Sequence, residues 1–416
     1  MNTFSMLFLL ALAIATGTRL WLAQRHVAHI RAHRAAVPAE FAQQITLEAH
    51  QKAADYSTLR TRLNMVHNVA DALLLLVFTF GGLLQAFDAW AGSWFHGEIL
   101  RGTAFIGLFM VASAIVDLPF SYYRTFGIEA RFGFNKMTPA MWLADLVKSA
   151  AVGSAFGVPL VLAVLWLMGK MGDLWWLYVW LVWVGFSVFM MAVYPAFIAP
   201  LFNKFSPMQE GSLKQRIESL LGKCGFRSSG LFVMDGSRRS THGNAYFTGF
   251  GKTKRIVFFD TLITRLNENE IEAVLAHELG HFKLHHVVRR MAWTFAVSLA
   301  FLWLLGTLKD ASWFYNGLGV TAAPSNALAL ILFVLVVPVF TFLLQPLVAM
   351  YSRKHEFEAD EYAARYSSAR ELVSALVKLY KDNASTLTPD PLHSAFYDSH
   401  PPASIRIAKL QSLAAH

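Results

Sequence analysis

Charge is scarce in this chain. Only 15% of its 416 residues are Asp, Glu, Lys or Arg, where soluble domains carry roughly 25%. With 55% hydrophobic residues, that deficit argues against an ordinary soluble enzyme and points to a polytopic membrane protein. Cysteine is nearly missing as well. Cys224 stands alone, which excludes an intrachain disulfide and any zinc site built from cysteines. A single cysteine could be a nucleophile, but no base motif accompanies it. Internal repeats and low-complexity linkers are also missing.

What is abundant is apolar sequence in long runs. Seven stretches approach the roughly 20 residues that a bilayer crossing needs: 3–24, 67–90, 103–121, 149–169, 174–202, 291–308 and 326–350. The third is the weakest, because Asp117 and Pro119 interrupt it. The first differs from a signal peptide, which carries positive charge ahead of its apolar run. Here Met1, Asn2 and Thr3 precede the run, and Arg19 and Arg25 lie near its far end. An uncleaved first helix with its N-terminus outside is expected.

The formal net charge of +9 admits two readings, nucleic-acid binding or the bias of Lys and Arg toward cytoplasmic loops. With seven crossings, segments 25–66, 122–148, 203–290 and 351–416 fall on the cytoplasmic side and hold 32 of the 36 basic residues. Arg101, Lys170 and Lys309 lie in the short outside loops. The basic balance therefore reads as topology, and no nucleic-acid partner is expected. Membrane lipid is.

Two cytoplasmic segments are long enough to fold. In 203–290, Leu231–Val233 and Arg255–Phe259 read as strands, with Asn244–Phe250 between them and Gly249, Gly251 and Lys252 suited to a turn. Asn267 and Glu270 have the spacing of a capping box, so a helix is expected to start there and run past His281. On that helix lies His277-Glu278-Leu279-Gly280-His281. Histidines four apart share one helix face and can bind one zinc ion, and the intervening glutamate can reach a water on that metal. With 15 His and 14 Glu in the chain, chance supplies roughly 0.02 such motifs. His285 and His286 are expected to flank the site rather than bind the catalytic metal.

A catalytic zinc needs a third protein ligand and an open position. The tail segment Ser352–Asp360 offers Glu356 and, four residues on, Asp360, with Glu358 and Glu361 as rival ligands. His281 lies ten residues before the sixth apolar stretch and Glu356 six after the seventh. Both therefore fall within about 15 Å of the same membrane face at 1.5 Å per helical residue.

Six segments together resemble the type I CAAX prenyl endopeptidase family of integral-membrane zinc proteases. They are Arg131–Thr138, Pro200–Phe205, Asn244–Gly249, His277–His281, Ser352–Asp360 and His400-Pro-Pro through Arg406, in the family's order and spread over most of the chain. The resemblance implies that Glu356 is the third ligand and that Asp360 supports the site. It implies that Asn244, Ala245, Tyr246 and Phe247 belong to a substrate-binding edge strand. His400 then faces the tetrahedral intermediate, with Arg406 nearby as a substrate-binding residue. It also implies seven helices around a water-filled chamber. Asp71, Asp117 and Asp145, in or beside apolar stretches, fit either that chamber or helix-to-helix hydrogen bonds.

The expected fold class is an all-α polytopic membrane protein of seven transmembrane helices carrying a cytoplasmic zincin-like α+β protease domain. Its expected divisions are 1–202, 203–290, 291–350 and 351–416. The expected activity is zinc-dependent endoproteolysis, with Zn2+ as cofactor, Glu278 as proton shuttle and a peptide or protein as substrate. The resemblance suggests prenylated C-termini; a broader quality-control protease is the alternative. A silent receptor would not need Glu278, and a metal transporter would place its ligands at mid-membrane.

Overall fold

Long apolar runs become long helices in the computed structural model, which describes residues 2–226, 228–248 and 254–414. Among these residues six helices are long and apolar enough to cross a bilayer: Thr3–Ala32, Glu98–Glu129, Pro139–Lys170, Gly172–Phe202, His286–Leu308 and Asn326–Tyr366. The stretch interrupted by Asp117 and Pro119 is one of them. Pro119 lies inside helix Glu98–Tyr122, and the wider turns of Tyr123–Glu129 follow it.

The stretch 67–90 is not one continuous helix. Helices Leu47–Phe78 and Leu83–Trp94 meet at a bend of 57° and make a seventh span only if taken together. The cause is local. The Thr79 hydroxyl donates back to the Leu75 carbonyl at 2.7 Å, and Gly82 adopts φ 76°, which ends helical continuity where only glycine fits easily. Of the three aspartates, Asp117 bonds across helices to His67 at 2.8 Å and Asp145 takes Arg239 through two bonds of 2.9 and 3.1 Å. Asp71 lies 3.5 Å from the same His67.

The apolar core of the membrane region lies at one end of the spans. It joins Phe8, Phe78, Phe105, Leu165, Leu305 and Leu332. On the last helical run this packing extends to Val339, 17 residues before Glu356. The last span does not stop at the membrane edge. It passes through Phe342–Leu344 into helix Gln345–Tyr366, which carries Glu356 and Asp360.

A four-stranded sheet forms within residues 205–259, in the order β1 (Phe205–Pro207), β2 (Ser228–Met234), β4 (Lys254–Phe259), β3 (Ala245–Thr248). β2 and β4 are parallel, and β3 runs antiparallel to β4 along the edge. The expected turn at Gly249, Gly251 and Lys252 lies outside the described residues. Behind the sheet packs helix Glu268–Lys283, which begins as its sequence predicts. The Asn267 side chain accepts from the Glu270 amide at 2.9 Å, and Glu270 accepts from the Asn267 amide at 2.8 Å. Ile271, Leu275 and Leu279, four apart, are buried with Leu231, Ile256, Phe258 and Leu372.

Gly280 explains how closely this helix approaches the next. A Cβ there would lie 3.0 Å from Ala359 Cα and 3.0 Å from Tyr362 Cβ. Its absence lets helix Glu268–Lys283 press against helix Gln345–Tyr366, which brings the two histidines to the carboxylate.

Candidate metal centre

Three side chains from these two helices converge. His277 Nε2 and His281 Nε2 are 3.2 Å apart, and they lie 3.5 and 3.4 Å from the two carboxylate oxygens of Glu356. Two ligands held at about 2.05 Å on a tetrahedral zinc are about 3.3 Å apart, so the spacing fits that ion. The ring planes fit as well. A metal lies in the plane of each imidazole that binds it, and these rings are inclined at 85°, so their planes intersect. Glu356 Oε2 is buried and accepts no hydrogen bond from the described residues. Three converging lone-pair donors, one of them a buried unsatisfied carboxylate oxygen, suit a cation.

The rival carboxylates point elsewhere. Glu361 pairs with Lys409 at 2.6 Å, and Glu358 pairs with His286 at 2.9 Å. His286, Glu358 and His355 also gather closely, but the His286 and His355 rings are stacked at 4.0 Å and only 8° from parallel. Parallel planes share no point at which one ion could meet both lone pairs, so this trio is unsuited to a metal.

Behind the three ligands lies a second layer. His277 Nδ1 is 2.8 Å from Asp360 Oδ1. Asp360 in turn accepts two bonds of 2.7 Å from Arg406, a two-pronged pairing that fixes the carboxylate plane. Burial and the Arg406 charge press the His277 imidazole toward its neutral form. The Asp360 and Glu356 carboxylates outweigh both and raise its pKa to about 8. A cation at Nε2 competes with that proton.

Arg406 is only 5% exposed. Its guanidinium faces Asp360, Glu356 and His277 rather than open space, which differs from the substrate-binding position expected for it. His400 reaches the centre from the tail, with Nε2 3.4 Å from Glu356 Oε1, while its side chain stays 60% exposed. Glu278 is half-buried beside His277.

Asn244 immediately precedes β3, and Ala245, Tyr246 and Phe247 lie within it. Asn244 is exposed, its side chain accepting from the Ala245 amide at 2.8 Å. Ala245 packs into the sheet core, Tyr246 meets Phe259 edge to face, and Phe247 packs against Phe282, the residue after His281. The edge therefore runs beside the end of the helix that carries His277 and His281. The contact of His281 with His286, Nδ1 to Nδ1 at 3.0 Å, has no signal in the spacing of either residue.

Comparisons with known proteins match the chain over nearly its whole length. Residues 26–204 match the family described as CAAX prenyl protease N-terminal, five membrane helices, and residues 207–414 match peptidase family M48. An Arabidopsis thaliana CAAX prenyl protease 1 homolog is 38% identical over 87% of each chain. The Saccharomyces cerevisiae CAAX prenyl protease 1 is 33% identical over 90% of this chain and 88% of its own. The crystal structure of S. mikatae Ste24p superposes with a TM-score of 0.92 at 30% identity, covering 99% of both chains.

Proposed function

The chain belongs to the type I CAAX prenyl endopeptidases of peptidase family M48, integral-membrane metalloendopeptidases, and on that premise we propose that it removes C-terminal residues from prenylated CAAX-type substrates using zinc held by His277, His281 and Glu356. The observation that carries the reading is the convergence of those three side chains, at tetrahedral spacing, beside the edge strand β3.

Zinc held by these residues would supply Lewis acidity for activating water and a carbonyl group. The remaining work falls to the chain. An extended substrate adds to the free edge of β3 through main-chain hydrogen bonds alongside Asn244–Phe247. Glu278 takes a proton from the attacking water and delivers it to the departing amide nitrogen. His400 donates from Nε2 toward the carbonyl oxygen as it gains charge. Asp360 accepts the Nδ1 proton of His277 and so leaves Nε2 as the free donor atom. Arg406 clamps Asp360, a positioning task that we assign to it in place of substrate binding.

A prenyl chain raises affinity by burying carbon. At about 0.8 kcal/mol per methylene, two buried groups already give about tenfold. Purified protein in lipid should therefore cleave a prenylated CAAX peptide with kcat/KM at least about tenfold above its unprenylated twin. Equal rates on both would point instead to a broad quality-control protease.

We place the site and the C-terminus on the cytoplasmic face and the N-terminus outside, because the basic residues concentrate in the segments that this orientation puts inside. Accessibility tags at the two termini should report opposite sides. Tags on one side would require that the bent pair Leu47–Phe78 and Leu83–Trp94 enters and leaves by the same face.

A further inference from the structure

His281 can bind a metal through Nε2 only if its other nitrogen is settled. A neutral imidazole carries one N–H, and Nε2 faces Glu356 and His277. The proton of His281 therefore sits on Nδ1. That atom lies 3.0 Å from His286 Nδ1, so His286 must accept there. Its own proton is then on Nε2, which lies 2.9 Å from Glu358 Oε2. Each contact dictates the direction of the next, and the chain ends on a carboxylate. Asp360 serves His277 directly at 2.8 Å; His281 has the same support one imidazole further out.

The backbone is shaped to make this contact. His285 has φ 58°, a left-handed conformation at a residue that is not glycine. Such strain persists where the surroundings over-determine it. The turn closes helix Glu268–Lys283, with the Leu284 amide on the Gly280 carbonyl at 3.0 Å. It then starts helix His286–Leu308 with its first side chain folded back under His281. His286 is 3% exposed and stacks on His355, which fixes the plane of its ring.

We propose that His286 and Glu358 are positioning residues that fix the tautomer and ring orientation of His281 as a metal ligand, through His281 Nδ1–H to His286 Nδ1 and His286 Nε2–H to Glu358. The inference rests on the metal-centre reading above. It gives Glu358 a task in metal binding that is not ligation.

The test is zinc affinity of the full chain in detergent, measured by competition with a chromogenic chelator. Outer partners of metal-binding histidines typically contribute 10–100-fold in affinity. His286→Ala should weaken zinc binding by about that factor, and Glu358→Gln by about tenfold, the lower end of it. The double variant should bind no more weakly than His286→Ala, because Glu358 acts only through that imidazole. His355→Phe keeps the stacked ring and should bind zinc as the unaltered chain does. Glu358 is one-third exposed, so Glu358→Gln decides the matter if His286→Ala does not fold. Wild-type affinity in Glu358→Gln, or losses that add in the double variant, would overturn the relay. Glu356→Ala measured alongside separates the two ideas. If it keeps zinc, the metal-centre reading fails; if it loses zinc while Glu358→Gln binds normally, only the relay fails.

Discussion

Glu278→Gln should yield a folded, zinc-loaded protein whose kcat/KM falls by at least about 100-fold, the usual scale for losing a general base. That corresponds to about 2.7 kcal/mol of barrier. Three observations support retention of the metal. The converging ligand atoms come from His277, His281 and Glu356, without Glu278. Glu278 makes no hydrogen bond or ion pair with another described residue, so no network collapses. Glutamine has the same shape, so packing is preserved. Only the capacity to accept and return a proton is lost. Kinetics with zinc content on the same preparation checks it. Full activity would remove Glu278 from the mechanism, and zinc loss would make it a ligand. His400→Ala provides the contrast. An oxyanion donor acts after substrate is bound, so kcat should drop about 10²–10³-fold with KM little changed.

The residues of the centre are legible because most lie on single helices at spacings that helical geometry interprets. His277 and His281 share a face, and so do Glu356 and Asp360. Asn267 and Glu270 announce their helix by a local hydrogen-bond exchange that the structure contains. What stays hidden depends on contacts between elements. Gly280 reads as a filler between ligands until helix Gln345–Tyr366 is seen 3.0 Å from where its side chain would be. Glu358 reads as a competitor of Glu356 because its partner, His286, is 72 residues away. The break at Thr79–Gly82 escapes a hydropathy reading because hydropathy counts apolar groups and is blind to backbone continuity. β1, with three residues, is too short to show alternation. Arg406 is expected as a substrate residue only through the family resemblance. Its burial against Asp360 depends on how the tail helix Ala403–Ala414 docks, which no local pattern encodes.

Glu356→Ala should abolish zinc binding and activity together. Zinc held by four protein ligands is worth about 10–16 kcal/mol at neutral pH, so one ligand contributes about 2.5–4 kcal/mol, roughly 70-fold or more in affinity. The loss should exceed that of Glu358→Gln, which removes an outer partner and leaves all three ligands. Helix geometry makes this order a sharp test. At 3.6 residues per turn, residues 356 and 358 point about 200° apart, so only one can face His277 and His281. In the present register Glu356 does so, 3.5 and 3.4 Å away, while Glu358 turns to His286. Zinc content by atomic absorption, after dialysis against a weak chelator, reads the difference directly. Should Glu358→Ala lose zinc completely and Glu356→Ala retain it, helix Gln345–Tyr366 would have to be rotated by half a turn. Asp360 would then leave His277, Gly280 would lose its reason to be glycine, and the Arg406 fork would face no carboxylate.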